Sequence, residues 1–307
     1  MDWEAYMIRY KIGTEVAPEH IFEAFNAGFV DYIIKIELTQ EDFFKRFFGP
    51  EGNEMALTMV AFDDETPIGL CLGGIRDFDG GAKTMRCGGL CVAPDYRGKG
   101  VSLELMKAHV AIAREKHCQQ VMLEVIGGND RAIQFYEKIG YHKIYRLEYY
   151  TLNREDFNFK DPCVTHLEEQ LSDEQVTIKD IKLEELNSLK SELAHYHISW
   201  QCSMDYAAQV EGVRCHALFR GDQIESFIIT SGVVQKTGRI FTLWTRPASR
   251  FKGYASCLVH QVLEEMSYDK IAINFSNSAS LTGFVNALGF SKQEIYQYEM
   301  YLDQIPN

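Results

Sequence analysis

Residues 92–102 read VAPDYRGKGVS and lie between an apolar run and a run of helical spacing. The first turn of a helix carries free backbone N–H groups and the positive end of the helix dipole, and glycines let an anion approach the main chain closely. Arg97, Gly98, Lys99 and Gly100, with Val101 and Ser102 opening the helix, therefore have the composition of a phosphate site with two cations beside it. The spacing is not the GxxxxGK[ST] of a nucleoside triphosphate loop, because Lys99 precedes Gly100 and no Ser or Thr follows a Gly-Lys pair in the metal-binding position. Nor is it GxGxxG. A structural strand-to-helix turn is the plainer reading of the loop taken alone.

A regular run of elements must position this loop. TMVAF, IGLCLGGI and TMRCGGLCV read as three strands separated by the turns DDETP and FDGGAK, and they lead directly into it. A helix follows over residues 102–116, with Leu103, Met106, His109, Val110 and Ala113 on one face. Next come the strand QVMLEV, a Gly-Gly-Asn turn, the short helix DRAIQFYEKIG and the alternating strand YHKIYRLEYYTL. The second half repeats the order: HALFR and IESFIIT as a hairpin, RIFTLWT as a strand, RPASRFKGYASCLVHQVLEEM as a turn and helix, then KIAINF, SNSASLTGFVNALGF and IYQYEMYL. Pro94, Arg97, Gly100 and Ser102 correspond at one constant offset to Pro247, Arg250, Gly253 and Ala255, and Gly140-Tyr141 corresponds to Gly289-Phe290. The pattern predicts a duplicated α/β domain, with residues 1–155 and 176–307 as the two copies and the polar, aperiodic segment 156–175 as a linker.

Composition agrees with two cores: the chain has 307 residues, 46% of them hydrophobic. No stretch approaches the roughly 20 apolar residues of a membrane span, and the start MDWEAYMIRYK has no basic segment followed by an apolar one, so cytoplasmic residence is expected. Eight cysteines without a CxxC pair sit mostly inside apolar runs, which predicts buried thiols, no disulfides and no zinc site. The HxH pair His195 and His197 reads as polar surface. A net charge of -13, shared by both halves, argues against nucleic acid or an anionic membrane as a partner, since polyphosphate binding needs a concentrated positive face. A cationic acceptor would be attracted instead.

VAPDYRGKGVS resembles the coenzyme A loop of the GNAT superfamily of N-acetyltransferases, whose pattern is Arg/Gln-x-x-Gly-x-Gly/Ala after a strand ending near Val-x-Pro. LEVIGGNDRAIQFYEKIGY is similar to that superfamily's next motif, and Ser102 stands where the family usually has Gly or Ala. The resemblance covers both halves. It implies two tandem domains, each a mixed, mostly antiparallel central sheet flanked by helices, with acetyl-CoA as cofactor and no metal. The pyrophosphate would lie on the N–H groups of Arg97, Gly98, Lys99, Gly100, Val101 and Ser102, and the pantetheine beside GGLCV, paired with main-chain N–H groups near Cys91 and Val92. Asn129 would hydrogen-bond the pantetheine or cap the helix that follows. Glu124 takes the position of a general base, or else binds the acceptor's charge or is hydrogen-bonded for structure, and Tyr136 takes that of a general acid, while Asp31, Tyr32 and Glu37 fall in the loop that walls the acceptor site. The acceptor would be a primary amine, on a small molecule or a peptide.

In the second copy Asn274 falls opposite Glu124 and Val285 opposite Tyr136, so both proton carriers are missing while the phosphate-loop pattern is kept. That copy is expected to be degenerate, its loop an inherited turn in preference to a site that binds coenzyme A without catalysing. Two alternatives stay open for the chain: a non-catalytic acyl-CoA-binding sensor or scaffold, and transfer of a longer acyl chain.

Overall fold

The computed structural model describes residues 8–78, 80–157, 176–232, 236–265 and 268–302. They form two compact units. The first holds residues 8–144 together with 297–302, and the second holds residues 145–296.

In the first unit, β1 (Arg9–Ile12), β2 (Met59–Asp63), β3 (Thr66–Phe78) and β4 (Ala82–Val92) pair antiparallel in that order. β5 (Gln120–Ile126) runs parallel to β4, and its far edge pairs antiparallel with Gln297–Tyr301 of β12 (Ser291–Leu302). Successive side chains on a strand face opposite ways, and they sort into two cores here. Ala61, Cys71 and Val92 pack with Val101, Leu105 and Met106 of α3 (Val101–Glu115) and Ile133 and Tyr136 of α4 (Asp130–Lys138). Their neighbours Val60, Phe62, Leu70, Leu72 and Cys91 pack with Ile21, Ala24 and Phe25 of α1 (Pro18–Phe29) and Phe43 of α2 (Gln40–Phe47). The aromatic run that reads as two amphipathic helices is these two helices, and Thr39 starts α2 by accepting from Asp42 N at 3.1 Å.

The second unit repeats the scheme. β7 (Val176–Ile181), β8 (Arg214–Arg220), β9 (Gln223–Thr230) and β10 (Thr237–Thr245) pair antiparallel, β11 (Lys270–Ser276) runs parallel to β10, and β6 (Tyr141–Asn153) pairs antiparallel with β11 over residues 147–153. α5 (Tyr254–Glu265) packs Leu258, Val262 and Leu263 into a core with Ile228, Ile271 and Tyr150. Val285 of α6 (Thr282–Ala287) joins the same core. A mixed, mostly antiparallel sheet flanked by helices thus describes each unit.

The expected boundaries differ from the packing in one respect. Residues 145–155 belong by sequence order to the first copy, yet β6 completes the second unit, and β12 completes the first. The two strands carry the same alternating pattern, so periodicity says that each is a strand but not which edge it joins. Most of the expected linker, residues 158–175, and Cys163 lie outside the described residues. Among those residues, Cys71, Cys87, Cys91, Cys118, Cys202, Cys215 and Cys257 are buried free thiols, and no helix is long and apolar enough to cross a membrane.

Met300 is fully buried in the first unit and Leu152 nearly so in the second. Met300→Ala should therefore destabilise the first unit by about 2–5 kcal/mol and speed amide hydrogen exchange in α3, whereas Leu152→Ala should do the same in α5. The reverse pattern of exchange would contradict the strand assignment.

Candidate functional sites

Beyond Val92, residues Pro94–Tyr96 make one 3-10 turn, and the main chain then passes Gly98 at φ +77° and Gly100 at φ +87° into α3. Only glycine holds that conformation without strain. No atom lies within 4 Å of where a Cβ would stand on either residue, so the loop presents bare backbone. The Gly100 carbonyl accepts from Leu103 N at 3.0 Å and Glu104 N at 3.1 Å, which leaves the N–H groups of Val101 and Ser102 in the unbonded first turn. A cleft of about 600 Å³ lies against this loop, walled by Leu90, Cys91 and Val92 on one side and by Asn129, Phe135 and Tyr136 on another.

The cleft exists because two strands part. β4 and β5 pair only from Thr84–Gln120 to Cys87–Leu123. Immediately afterwards the β3–β4 register shifts, leaving Gly88 out of step. α1 crosses close over the parted strand: a Cβ on Gly28 would run into Cys91 Sγ, and Cys91 Sγ itself points to the Ala24 carbonyl at 3.5 Å.

Arg97 does not offer its charge freely. Its Nε donates to the Val92 carbonyl at 2.9 Å, its Nη2 to the Gly28 carbonyl at 3.1 Å, and its two Nη atoms to the Asp31 carboxylate at 2.5 and 2.6 Å. The hydrogen bonds from Arg97 hold the Asp31 carboxyl below the ordinary carboxylate range, so this tie is complete above that range and is lost only as pH falls through it. Asp31, expected to face a cationic acceptor, is therefore spent on Arg97. The backbone N–H groups remain as the anion donors, with Lys99, whose ammonium lies 5.1 Å over the Tyr96 ring, as an exposed cation. Of the other acceptor-side residues, Tyr32 lines the cleft and packs edge-on against Phe29, with burial pushing its phenol up. Glu37 does not line the cleft and pairs with Lys35 at 2.5 Å, both exposed. Asn129 caps α4, accepting from Ala132 N at 3.3 Å, and also lines the cleft.

Tyr136 lines the cleft and is 7% exposed; burial first, and then the nearby thiols of Cys87 and Cys71, push its phenol well above its ordinary value. It enters any reaction near neutral pH protonated. Glu124 sits deeper and does not line the cleft. Its Oε2 accepts from Arg86 Nε at 3.0 Å and Nη2 at 2.6 Å, while Arg86 Nη1 reaches Glu51 Oε2 at 3.0 Å; all three side chains are buried. Burial works against the Arg86 charge, but the carboxylates of Glu124 and Glu51 more than offset it. Glu299, fully buried, stands directly opposite Glu124 in the β5–β12 register. Arg86, Glu51 and Glu299 are not among the residues expected from motifs. One signal could have found the arginine: the constant offset that links the two loops also links Arg86 to Arg239.

The second unit keeps this frame. β10 and β11 pair from Thr237–Lys270 to Ile240–Ile273 and then part. Arg250 Nε donates to the Thr245 carbonyl at 3.3 Å, as Arg97 does to Val92, and its Nη2 donates to the Tyr196 hydroxyl at 3.0 Å. Arg239 Nη2 donates to Asn274 Oδ1 at 2.9 Å, in place of the Arg86–Glu124 pair. The sequence leaves an inherited turn or a coenzyme site without catalysis as the readings here, and a cleft of about 770 Å³ lies against this loop. His197 lines that cleft, stacked on Tyr145 at 3.7 Å, so its place in the HxH pair is aromatic packing. A separate cluster, Asp180, His216 and Glu265, brings three donor atoms together, but Arg214 Nη2 already stands 2.9 Å from Asp180 and 3.2 Å from Glu265.

Residues 19–141 match the model of the acetyltransferase (GNAT) family. The chain is similar to N-alpha-acetyltransferase 30 of Schizosaccharomyces pombe, 33% identical over 67 residues that make up 22% of this chain and 45% of the relative. The chain thus spans less than half the length of the curated relative it matches. Among solved structures, the glucosamine N-acetyltransferase region of a fungal multi-domain GH3 beta-N-acetylglucosaminidase superposes with a TM-score of 0.74 at 15% identity, covering 97% of this chain and 38% of that one. A tandem GNAT protein from the clavulanic acid biosynthesis pathway superposes with a TM-score of 0.66 at 14% identity, covering 98% and 99%. At those identities the likeness is one of fold.

Arg86→Met would leave Glu51 and Glu124 buried without their cation, which should cost about 3–5 kcal/mol in urea unfolding. Adding Glu124→Gln should recover part of the loss, because the coupling belongs to the pair. Additive losses in the two variants would show that the arginine is not coupled to Glu124.

Proposed function

From the premise that residues 19–141 form a domain of the GNAT acetyltransferase family, we propose that the first unit transfers acetyl from acetyl-CoA to a primary amine. The observation that carries this reading is one continuous cleft that joins the bare backbone of Gly98–Ser102, the unpaired end of β4 and the protonated phenol of Tyr136. The residues suit the coenzyme: the glycine cradle is open where a Cβ would fill it, and the one carboxylate lining the cleft, Asp31, is already matched by Arg97. Coenzyme A supplies the thioester-linked acetyl group.

The chain's own groups then have distinct tasks. N–H groups of residues 98–102 take the phosphate charge at the positive end of α3; the Arg97 N–H, expected among them, is donated to the Pro94 carbonyl at 3.2 Å. Main-chain N–H groups near Cys91 and Val92, free of β5 on that side, pair with the pantetheine amide and stabilise the charge that develops on the carbonyl oxygen during attack. The attacking amine must shed a proton as its C–N bond forms; the Glu124 carboxylate accepts it, directly or through water. Tyr136 donates its proton to the sulfur as the C–S bond breaks. Arg86 holds Glu124 in place, and its partner-free Oε1 is the oxygen available to a proton. Tyr32, on the acceptor side, packs against the amine-bearing group.

Tyr136→Phe should lower kcat by about 10²- to 10⁴-fold with little change in the KM for acetyl-CoA; full turnover in a chemistry-limited assay would remove the phenol from the mechanism. Because its phenol is shifted upward, the wild-type rate should show no alkaline fall from this group below pH 10. Gly100→Val, strained at φ +87°, should lower the melting midpoint without abolishing folding and should weaken coenzyme A binding measured by calorimetry; unchanged affinity in the folded variant would place the coenzyme elsewhere.

A further inference from the structure

The cleft of the second unit is larger than that of the first and differs from it in where it extends. With the first unit as a ruler, the cleft there touches β4 only at Leu90, Cys91 and Val92, and touches no residue of β5. In the second unit the lining includes the equivalents Leu243, Trp244 and Thr245, and continues inward to Phe241 and Thr242 and across to Ile273, Asn274 and Phe275 of β11. It thus runs down to the point where the two parallel strands part, at Ile240 and Ile273. The added space lies at the end remote from Arg250 and the start of α5.

Three buried polar atoms in this lining have no hydrogen-bond partner among the described residues: Ser199 Oγ, Trp244 Nε1 and Asn274 Nδ2, on residues 3%, 6% and 5% exposed. Each of these atoms is closed to solvent, so it stands behind the cleft surface and not on it. Among the described residues no Asp or Glu lines the cleft, although the chain carries a net charge of -13. Its outer end instead presents Arg250 and the start of α5. There Phe251 holds a left-handed φ of +63° and is fully exposed. A bulky residue rarely adopts that conformation, and here it turns an aromatic face out beside the cation, where a nucleobase could stack on it. From outside inward, the cleft offers a cation with a stacking face, the parted strand Leu243–Thr245, and an apolar end walled by Phe241 and Ile273.

We propose that the second unit holds, without transferring, a coenzyme A thioester whose acyl group is longer than acetyl. The anionic nucleotide end sits at Arg250, the amide-bearing arm runs beside Leu243, Trp244 and Thr245, and the acyl chain fills the inward extension. Transfer does not follow, because the groups that would carry protons are replaced: Asn274 has its Oδ1 tied to Arg239, and Val285 is packed into the core. The ligand class rests on the coenzyme reading of the first cleft, but occupancy is read separately.

Calorimetry on the full chain with hexanoyl-CoA and acetyl-CoA tests this. In Gly100→Val, which closes the first cleft, one equivalent of hexanoyl-CoA should still bind, at least tenfold more tightly than acetyl-CoA. Arg250→Glu, or Ser280→Trp, which fills the cleft from an exposed position on its rim, should abolish that equivalent when combined with Gly100→Val. Either change alone should leave acetyl transfer by the first unit intact. No hexanoyl-CoA binding to Gly100→Val, binding indifferent to both second-cleft changes, or release of free thiol from the bound thioester would overturn the proposal. Loss of the first-unit reading would show differently, as absent acetyl transfer in a wild-type chain that still binds hexanoyl-CoA in its second cleft.

Discussion

Two parallel strands can share hydrogen bonds only while they stay about 4.8 Å apart, and in each unit they do so for a single short stretch. Thr84–Cys87 and Thr237–Ile240 hold their neighbours, and then the strands separate. Backbone N–H and C=O groups do not tolerate burial without partners, so each parted edge needs something that brings its own acceptors and donors. The bulge beside Gly88, the close crossing of α1 over Cys91 and the turn into α3 are all arranged around that edge. In this sense the clefts are the opened interior of the sheet.

Below the first opening lies a charge group that the fold could not lose cheaply. Arg86, Glu51, Glu124 and Glu299 come from four separate stretches of chain and meet with almost no exposure. Removing a carboxylate or a guanidinium from water is expensive, and the return comes only when the partners are held in register. The second unit keeps the arginine as Arg239 and exchanges the carboxylate for Asn274. The second unit thus has the arginine without the carboxylate that it holds in the first.

Much of this was legible in the residues. The two loops, the helices that follow them and the Gly-aromatic ends of α4 and α6 were visible because turn chemistry and helical spacing are local. The partners of Arg97 were not, because Asp31 reaches it from 66 positions away, and nothing in the exposed run VDYIIKIELT distinguishes Asp31 from Glu37. The buried group around Glu124 was hidden for a related reason: an arginine at one position of an alternating strand looks solvent-facing until its neighbours are known. The exchange of β6 and β12 escaped because strand pattern carries no address. The depth of the second cleft escaped because it depends on where β10 and β11 part.

The exchanged strand also imposes an order in time. The first unit is short of one edge until residues 297–302 have been made, and all of residues 145–296 intervene. At typical rates of synthesis that interval lasts about 10–30 s, during which β5 offers an unpaired rim and the place of Met300 stands empty. A nascent chain in that state is exposed to chaperones, proteases and mispairing with its neighbours on the polysome. It follows that a premature stop codon between residues 145 and 296 would leave the first unit, made earlier, without its closing strand.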